Sequence, residues 1–393
     1  MKIKISIHKI FVFLLITSII WGTTLQLFYI SGVGSVYPLR IILVFYLLYE
    51  ILKLIKYRKI NRTDIKARTK IIFFLFWVWI FFVTLINEKS SSTVSSFVTY
   101  TMNLLMICCV ADSVENNEDE KMVFVTITLN SIILGILGIV ESLSGTWIFR
   151  ADMATKWDTN AFGMITPVTI FHNTNNYCMF MIFSLVVFLF LFKSKILRLL
   201  YLCFIGVVVI LTDCRTGIIS IILIFLVIFS VRILNSTKKK IVIYGIFSIV
   251  SLIYLLFNNI VLTNDRLLLW KNILTSCRTT HFLGVGTGNT VATLSKHLTL
   301  IVYSAKGGAV IAPHNYILEL LLETGAVGIV ILAVGMVPIV RSICKTRYNH
   351  IGNLYFIIML LLIITSVCVS TMTDFFQYWL FLGLIISNIN RKK

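Results

Sequence analysis

Charge is scarce in this sequence. Asp, Glu, Lys and Arg make up 13% of its 393 residues, against 58% hydrophobic residues and a mean hydropathy of +0.96. Soluble domains carry about 25% charged residues, so a soluble globular protein is excluded. No stretch is polar enough to form a separate soluble domain. The signatures of common metal, redox and nucleotide chemistry are also missing. The chain has no H-E-x-x-H, no C-x-x-C, no Asp-x-Asp pair in a prospective external loop, and no Gly-rich phosphate loop after a strand. No internal repeat relates two halves.

What the chain does have is apolar runs from end to end, each long enough to cross a hydrocarbon layer of roughly 30 Å. They predict an all-α polytopic membrane protein with twelve spans: 10–30, 36–55, 71–87, 97–112, 122–143, 176–192, 197–212, 217–235, 241–262, 315–340, 353–371 and 375–389. The first run has no clear small-residue cleavage site and is read as a retained span. Polar punctuation separates the spans: the basic run 56–70, the acidic ENNEDEK at 115–121, KSK at 193–195 and STKKK at 236–240. With both termini in the cytoplasm, 25 of the 35 Lys and Arg fall on the cytoplasmic side, as the positive-inside rule requires. Topology and anionic lipid then account for the net charge of +19, and nucleic-acid binding is not needed to explain it.

In this topology the chain is one integral membrane domain, 1–393, and two external loops carry its polar face: 144–175 and 263–314. The longer loop precedes the tenth helix. Its DRLLLWKNIL places Leu267, Trp270 and Leu274 at i, i+3 and i+7, which predicts a short amphipathic helix near the membrane surface. A tight turn, TDCRTG (212–217), holds Arg215 where a span meets water. Pro313 and His314 open the tenth span, and Asn315, Glu319 and Glu323 share one face of it. Carboxylates in an apolar helix must face a cavity or protein partners. They therefore form either a wall of a substrate cavity or an internal hydrogen-bond network. Gly325 and Gly328 predict close helix packing. Cys214 and Cys277 are both external, so a disulfide between them is open. Trp147, Trp157 and Trp270 either stack on sugars or sit in interfacial belts.

These residues carry a resemblance. Arg266-x3-Trp270, then GVGTGN (284–289), then PHNYILELLLETGAVG (313–328) resembles the O-antigen ligase/polymerase family of membrane glycosyltransferases. Asp213-Cys-Arg-Thr-Gly217 stands where that family often has a Ser-Arg-Gly-like turn, with Cys214 in place of the common Ser. FHNTNN (171–176) is similar to the family's Asn-containing helix start. The motifs cover roughly 165–330; the hydropathy pattern covers the rest.

The resemblance implies a GT-C-like fold in a bacterial cytoplasmic membrane, with the active site on the external face and no cofactor or essential metal. The substrate is an undecaprenyl-pyrophosphate-linked oligosaccharide, extended by a polymerase in capsule, exopolysaccharide or O-antigen biosynthesis. A flippase and a chain-length regulator of the same pathway are the implied partners. Arginine stays protonated and grips phosphate oxygens bidentately, so Arg215 and Arg266 are the candidates for holding the departing diphosphate. Arg278 and Lys271 are further candidates, and lipid-headgroup contact is the alternative for each. His314, at the positive end of a helix dipole, suits a neutral general base. Alternatively it positions the substrate or caps the helix. Asn315, Glu319, Trp270 and Asn175 are candidate substrate contacts. Two other readings are a ligase, which passes finished glycan to a different acceptor, and a repeat-unit flippase. The flippase predicts related halves and dispersed polar residues, whereas here the polar residues gather on one face.

Overall fold

A computed structural model describes residues 7–30, 34–57, 65–88, 90, 92–149, 159–171, 173–233, 265–297, 315–346, 350–368 and 372–389. The helices among them are α1 (Ile7–Trp21), α2 (Pro38–Tyr57), α3 (Ile65–Ile86), α4 (Thr93–Ser113), α5 (Asn117–Ser144), α6 (Thr174–Leu191) and α7 (Lys195–Thr212). They continue with α8 (Arg215–Ile233), α9 (Asp265–Thr279), α10 (Thr290–His297), α11 (Tyr316–Thr346), α12 (His350–Cys368) and α13 (Phe376–Ile389). Seven stretches are long and apolar enough to cross a membrane: Ile7–Leu25, which is α1 with the turn after it, then α3 to α7, and α11. Shorter apolar stretches come from α8, α12 and α13. The chain is thus a mostly helical, multi-pass membrane protein.

Burial sorts the helices. Residues Asn176–Phe188 of α6 are all buried, and α13 is buried over nearly its whole length. A helix apolar all round belongs inside a bundle. The two meet at Phe183 and Phe381, whose rings stack with centroids 4.4 Å apart. The other helices expose large apolar side chains, such as Phe45 and Leu52 on α2 and Phe74 and Phe82 on α3. In water such a surface would aggregate; it fits a hydrocarbon surround.

Helices occur where eleven of the predicted spans lie; the ninth, 241–262, lies outside the described residues. The first prediction needs correction. The helix stops at Trp21 instead of running to residue 30. Gly22 has φ +46, a value that a helix cannot continue through, and a 3-10 turn (Gly22–Leu25) follows. A hairpin then pairs Phe28–Ile30 with Gly34–Val36. The acidic run also begins a helix and is not merely loop: Asn116 and Asp119 form a capping box at the start of α5. The tenth span is one continuous helix in the sequence reading but is broken at Gly325 (φ +71, ψ −178).

Hydrogen bonds tie the ends of alternate helices together. One end of the bundle gathers the turns after α1, α3, α5 and α7, the loop 280–289 and the start of α13. Gln377 there donates to the Ile20 carbonyl (2.5 Å), and Asn103 on α4 to that of Thr373 (2.8 Å). At the opposite end Lys9 pairs with Glu118 (2.7 Å), and Lys70 with Asp112 (2.5 Å).

A Cβ at Gly325 would meet the Phe282 and Leu283 backbones at 2.5 Å, whereas one at Gly206 on α7 meets nothing within 4 Å. Gly325→Ala should therefore cost about 2 kcal/mol or more, and Gly206→Ala little. Thermal unfolding of the detergent-solubilised variants checks this, with a clear fall in Tm expected for Gly325→Ala alone.

Candidate active site

The break in α11 and the glycine-rich loop 284–289 are built into each other. Val285 and Gly286 donate their N–H groups to the carbonyls of Leu322 and Glu323 (2.9 and 3.0 Å), and Ala326 N–H reaches back to the Phe282 carbonyl (2.9 Å). The break frees the Thr324 carbonyl, which accepts from Trp79 Nε1 on α3 at 2.7 Å. Gly284 (φ +93) lies against the same strand of backbone, where a Cβ would meet the Glu323 carbonyl oxygen at 2.7 Å.

Glu323 locks this junction. It is 4% exposed. Its carboxylate accepts from the Gly288 N–H (2.9 Å), the Thr290 hydroxyl (3.0 Å) and the Tyr100 hydroxyl of α4 (2.9 Å). Asn289 extends the lock to the α3–α4 turn. Its Nδ2 donates to the carbonyls of Glu88 and Val285, and its Oδ1 accepts from Ser90 N–H and the Thr93 hydroxyl. Thr84 and Thr287 hydroxyls bond across the same seam at 3.2 Å.

The carboxylates of α11 therefore divide. Glu323 belongs to an internal hydrogen-bond network. Glu319, one turn earlier and half-buried, has no side-chain hydrogen-bond or ion-pair partner among the described residues and lies within Coulombic reach of Glu323 and Asp374. Asn315 caps α11, its Oδ1 accepting from Leu318 N–H at 3.2 Å. His314 lies outside the described residues, directly before this cap.

Arg215 sits in a second cluster. Asp213 ends α7 in the left-handed conformation (φ 49), which Asp tolerates, and α8 begins at Arg215 itself. The Arg215 side chain is exposed and makes no ion pair with any described residue. Beside it the Cys214 thiol donates to Asn175 Oδ1 (3.2 Å), while Asn173 caps α6 by accepting from Asn176 N–H (2.8 Å). A guanidinium at a helix N-terminus, facing water, is a ready anion site. The nearby loop is held by Glu141, which is fully buried and accepts three backbone N–H groups, from Ile148, Val168 and Thr169. Trp147 donates its ring N–H to the Thr166 carbonyl (3.1 Å), so it helps to hold the loop; Trp157 lies outside the described residues.

The predicted short helix exists as α9, but its buried face differs. Leu269, Ile273 and Cys277, at i, i+4 and i+8, are buried, and Ile273 and Cys277 pack with Leu322 of α11 and Leu294 of α10, whereas Leu274 is exposed. Arg266 falls in its first turn, Trp270 is half-buried, and Arg278 is exposed in its last turn. Cys214 and Cys277 are both free thiols, so no disulfide joins them. Burial pushes the Cys277 thiol pKa up to about 11, as expected of an inert side chain.

The structure joins Asn315, Glu319 and Glu323 along α11, and joins Asn175 to the Arg215 turn. No hydrogen bond or ion pair links Arg215 to Asn315, Glu319 or Arg278. α12 packs against both α8 and α11, the helices that carry Arg215 and the carboxylates. Sequence reading missed Tyr100, Thr290, Asn289 and Trp79. Tyr100 and Glu323 are 223 positions apart, and no local pattern pairs them.

The described residues thus form a multi-pass helical bundle with its polar, glycine-locked turns collected at one end. Residues 199–333 match the family model described as O-antigen ligase, so this third of the chain is similar to that family. No curated protein matches the chain.

Glu323→Ala would strand two hydroxyls and one backbone N–H, each at about 1–3 kcal/mol. A marked drop in Tm and in detergent-stable yield is expected, while Glu319→Ala should unfold close to wild type. Equal effects would contradict the division between the two carboxylates.

Proposed function

We propose that this protein is a polysaccharide polymerase. It transfers a growing glycan from undecaprenyl pyrophosphate to a sugar hydroxyl of another lipid-linked repeat unit, in capsule, exopolysaccharide or O-antigen biosynthesis. The observation that carries the reading is the extent of the family match. Residues 199–333 take in Arg215, Arg266, Arg278, His314, Asn315 and Glu319 together.

The chain acts as one integral membrane unit of twelve spans with a GT-C-like arrangement. Both termini are cytoplasmic, and loops 144–175 and 263–314 face outward from a bacterial cytoplasmic membrane. In the reaction the acceptor hydroxyl oxygen attacks the anomeric carbon, and its proton passes to His314. The bond from that carbon to the pyrophosphate oxygen breaks, and the lipid diphosphate leaves with the electron pair. Arg215 and Arg266 stabilise the charge that develops on it. Glu319, the carboxylate of α11 with no partner among the described residues, contacts the substrate together with Asn175, Trp270 and Arg278; Asn315 sets the start of the helix that follows His314. No metal or cofactor takes part. A flippase supplies the lipid-linked units, and a chain-length regulator shares the product.

A ligase is the second reading, favoured by the family model's own description. It differs in the acceptor alone, so product analysis separates the two. Cells carrying Arg215→Ala, Arg266→Ala or His314→Ala at normal expression should lose long chains and accumulate single repeat units on the carrier lipid. The expected loss is about 100-fold or more for a group acting on transition-state charge. Long chains from all three variants would refute the site. EDTA should leave the activity of membranes unchanged.

A further inference from the structure

Beside the Glu323 lock lies an open groove of about 330 Å³, between the α3–α4 turn and α10. It has the size of a ligand site and is concave. Its walls are mixed: Val285 and Ala292 are apolar, Asn87, Ser90 and Thr293 are polar and uncharged, and Glu88 and Lys296 stand at the rim. The two charges neutralise each other in an ion pair of 2.7 Å. The hydrogen bond and charge of Lys296 hold the Glu88 carboxyl below the usual carboxylate range. The groove thus offers no net positive charge, and a phosphate entering it would meet Glu88.

Two hydrogen-bonding groups on the walls have no partner among the described residues. Asn87 spends its Nδ2 on the Val83 and Gly284 carbonyls, and no described residue donates to its Oδ1. No described residue bonds the Thr293 hydroxyl. The floor beneath them is stiff, because Asn289 makes four hydrogen bonds and Gly288 (φ +74) sits where a Cβ would strike Ser96 Oγ at 2.5 Å. A preformed groove with such groups and no net charge suits a polyhydroxylated, uncharged ligand, since binding there needs little reorganisation. The same floor is bonded to α11 through Glu323, eight residues after Asn315, roughly 12 Å along the helix.

We propose that this groove binds the sugar portion of the glycan, apart from the lipid diphosphate; the assignment rests on the glycosyl-transfer reading. The test uses the full-length protein in detergent. The probe is the lipid-free repeat-unit oligosaccharide, released by mild acid from the host's own lipid-linked pool. Calorimetry measures its binding to wild type, to Ala292→Trp, which fills the groove, and to Thr293→Val, which removes the hydroxyl at constant volume. Ser295→Trp, on the exposed side of the same helix, is the control.

Wild type and Ser295→Trp should bind alike. Thr293→Val should bind several-fold more weakly, and Ala292→Trp at least about tenfold more weakly, with about 1.4 kcal/mol for each tenfold step. In the polymerase assay both groove variants should raise KM for the lipid-linked unit and keep kcat. If wild type polymerises but does not bind the released oligosaccharide, or binds it equally in all variants, the groove assignment is overturned and the polymerase reading stands. If wild type makes no polymer yet binds the oligosaccharide, and the groove variants do not, the groove assignment stands and the polymerase reading falls. Should Ala292→Trp fail to fold, Thr293→Val decides alone.

Discussion

The three hydrogen bonds that converge on Glu323 are the interaction on which the rest of the loop-rich end depends. A buried carboxylate is tolerated only when its lone pairs are satisfied. Here a hydroxyl from α4, a hydroxyl from α10 and a backbone N–H from the glycine-rich loop satisfy them. Each donor comes from a different segment, so the same bonds that make the carboxylate tolerable also fix α4, α10 and α11 against one another. The break at Gly325 follows from this junction: the loop occupies the space that a continuing side chain would need, and Trp79 takes up the carbonyl set free.

The junction also braces the start of this helix. α11 begins two residues after His314, and its first turns are pinned at Glu323. Arg215 is positioned by different means, at the start of α8 beside Asn175. The two positions share α12 as a common neighbour.

Much of the fold was legible in the sequence because the bilayer imposes a crude, strong rule: backbone polar groups must be satisfied within the segment, so apolar runs become helices. That rule located the helices of α2 to α8 and α11 to α13 within a few residues. It failed where local geometry overruled hydropathy. Gly22 ends α1 early, Gly325 breaks α11, and the cap at Asn116 turns an acidic loop into the first turn of α5. Of the site, the polar face of α11 and the Arg215 turn were visible as polar residues in oily surroundings. What separates Glu319 from Glu323 was not, because the partners of Glu323 lie 33 to 223 positions away in sequence. The buried face of α9 was misjudged for a related reason: its Ile273 and Cys277 pack with Leu322 of α11, which no local pattern announces.

The most direct test of the central claim is a reaction with purified components: the wild-type protein in detergent or nanodiscs, and undecaprenyl-pyrophosphate-linked repeat units as the only glycan present, with product length resolved on a gel. The account predicts a ladder of lipid-linked products that grows one repeat unit at a time. Unchanged single units would contradict it, if glycan were then transferred once a separate, non-repeat-unit acceptor was supplied.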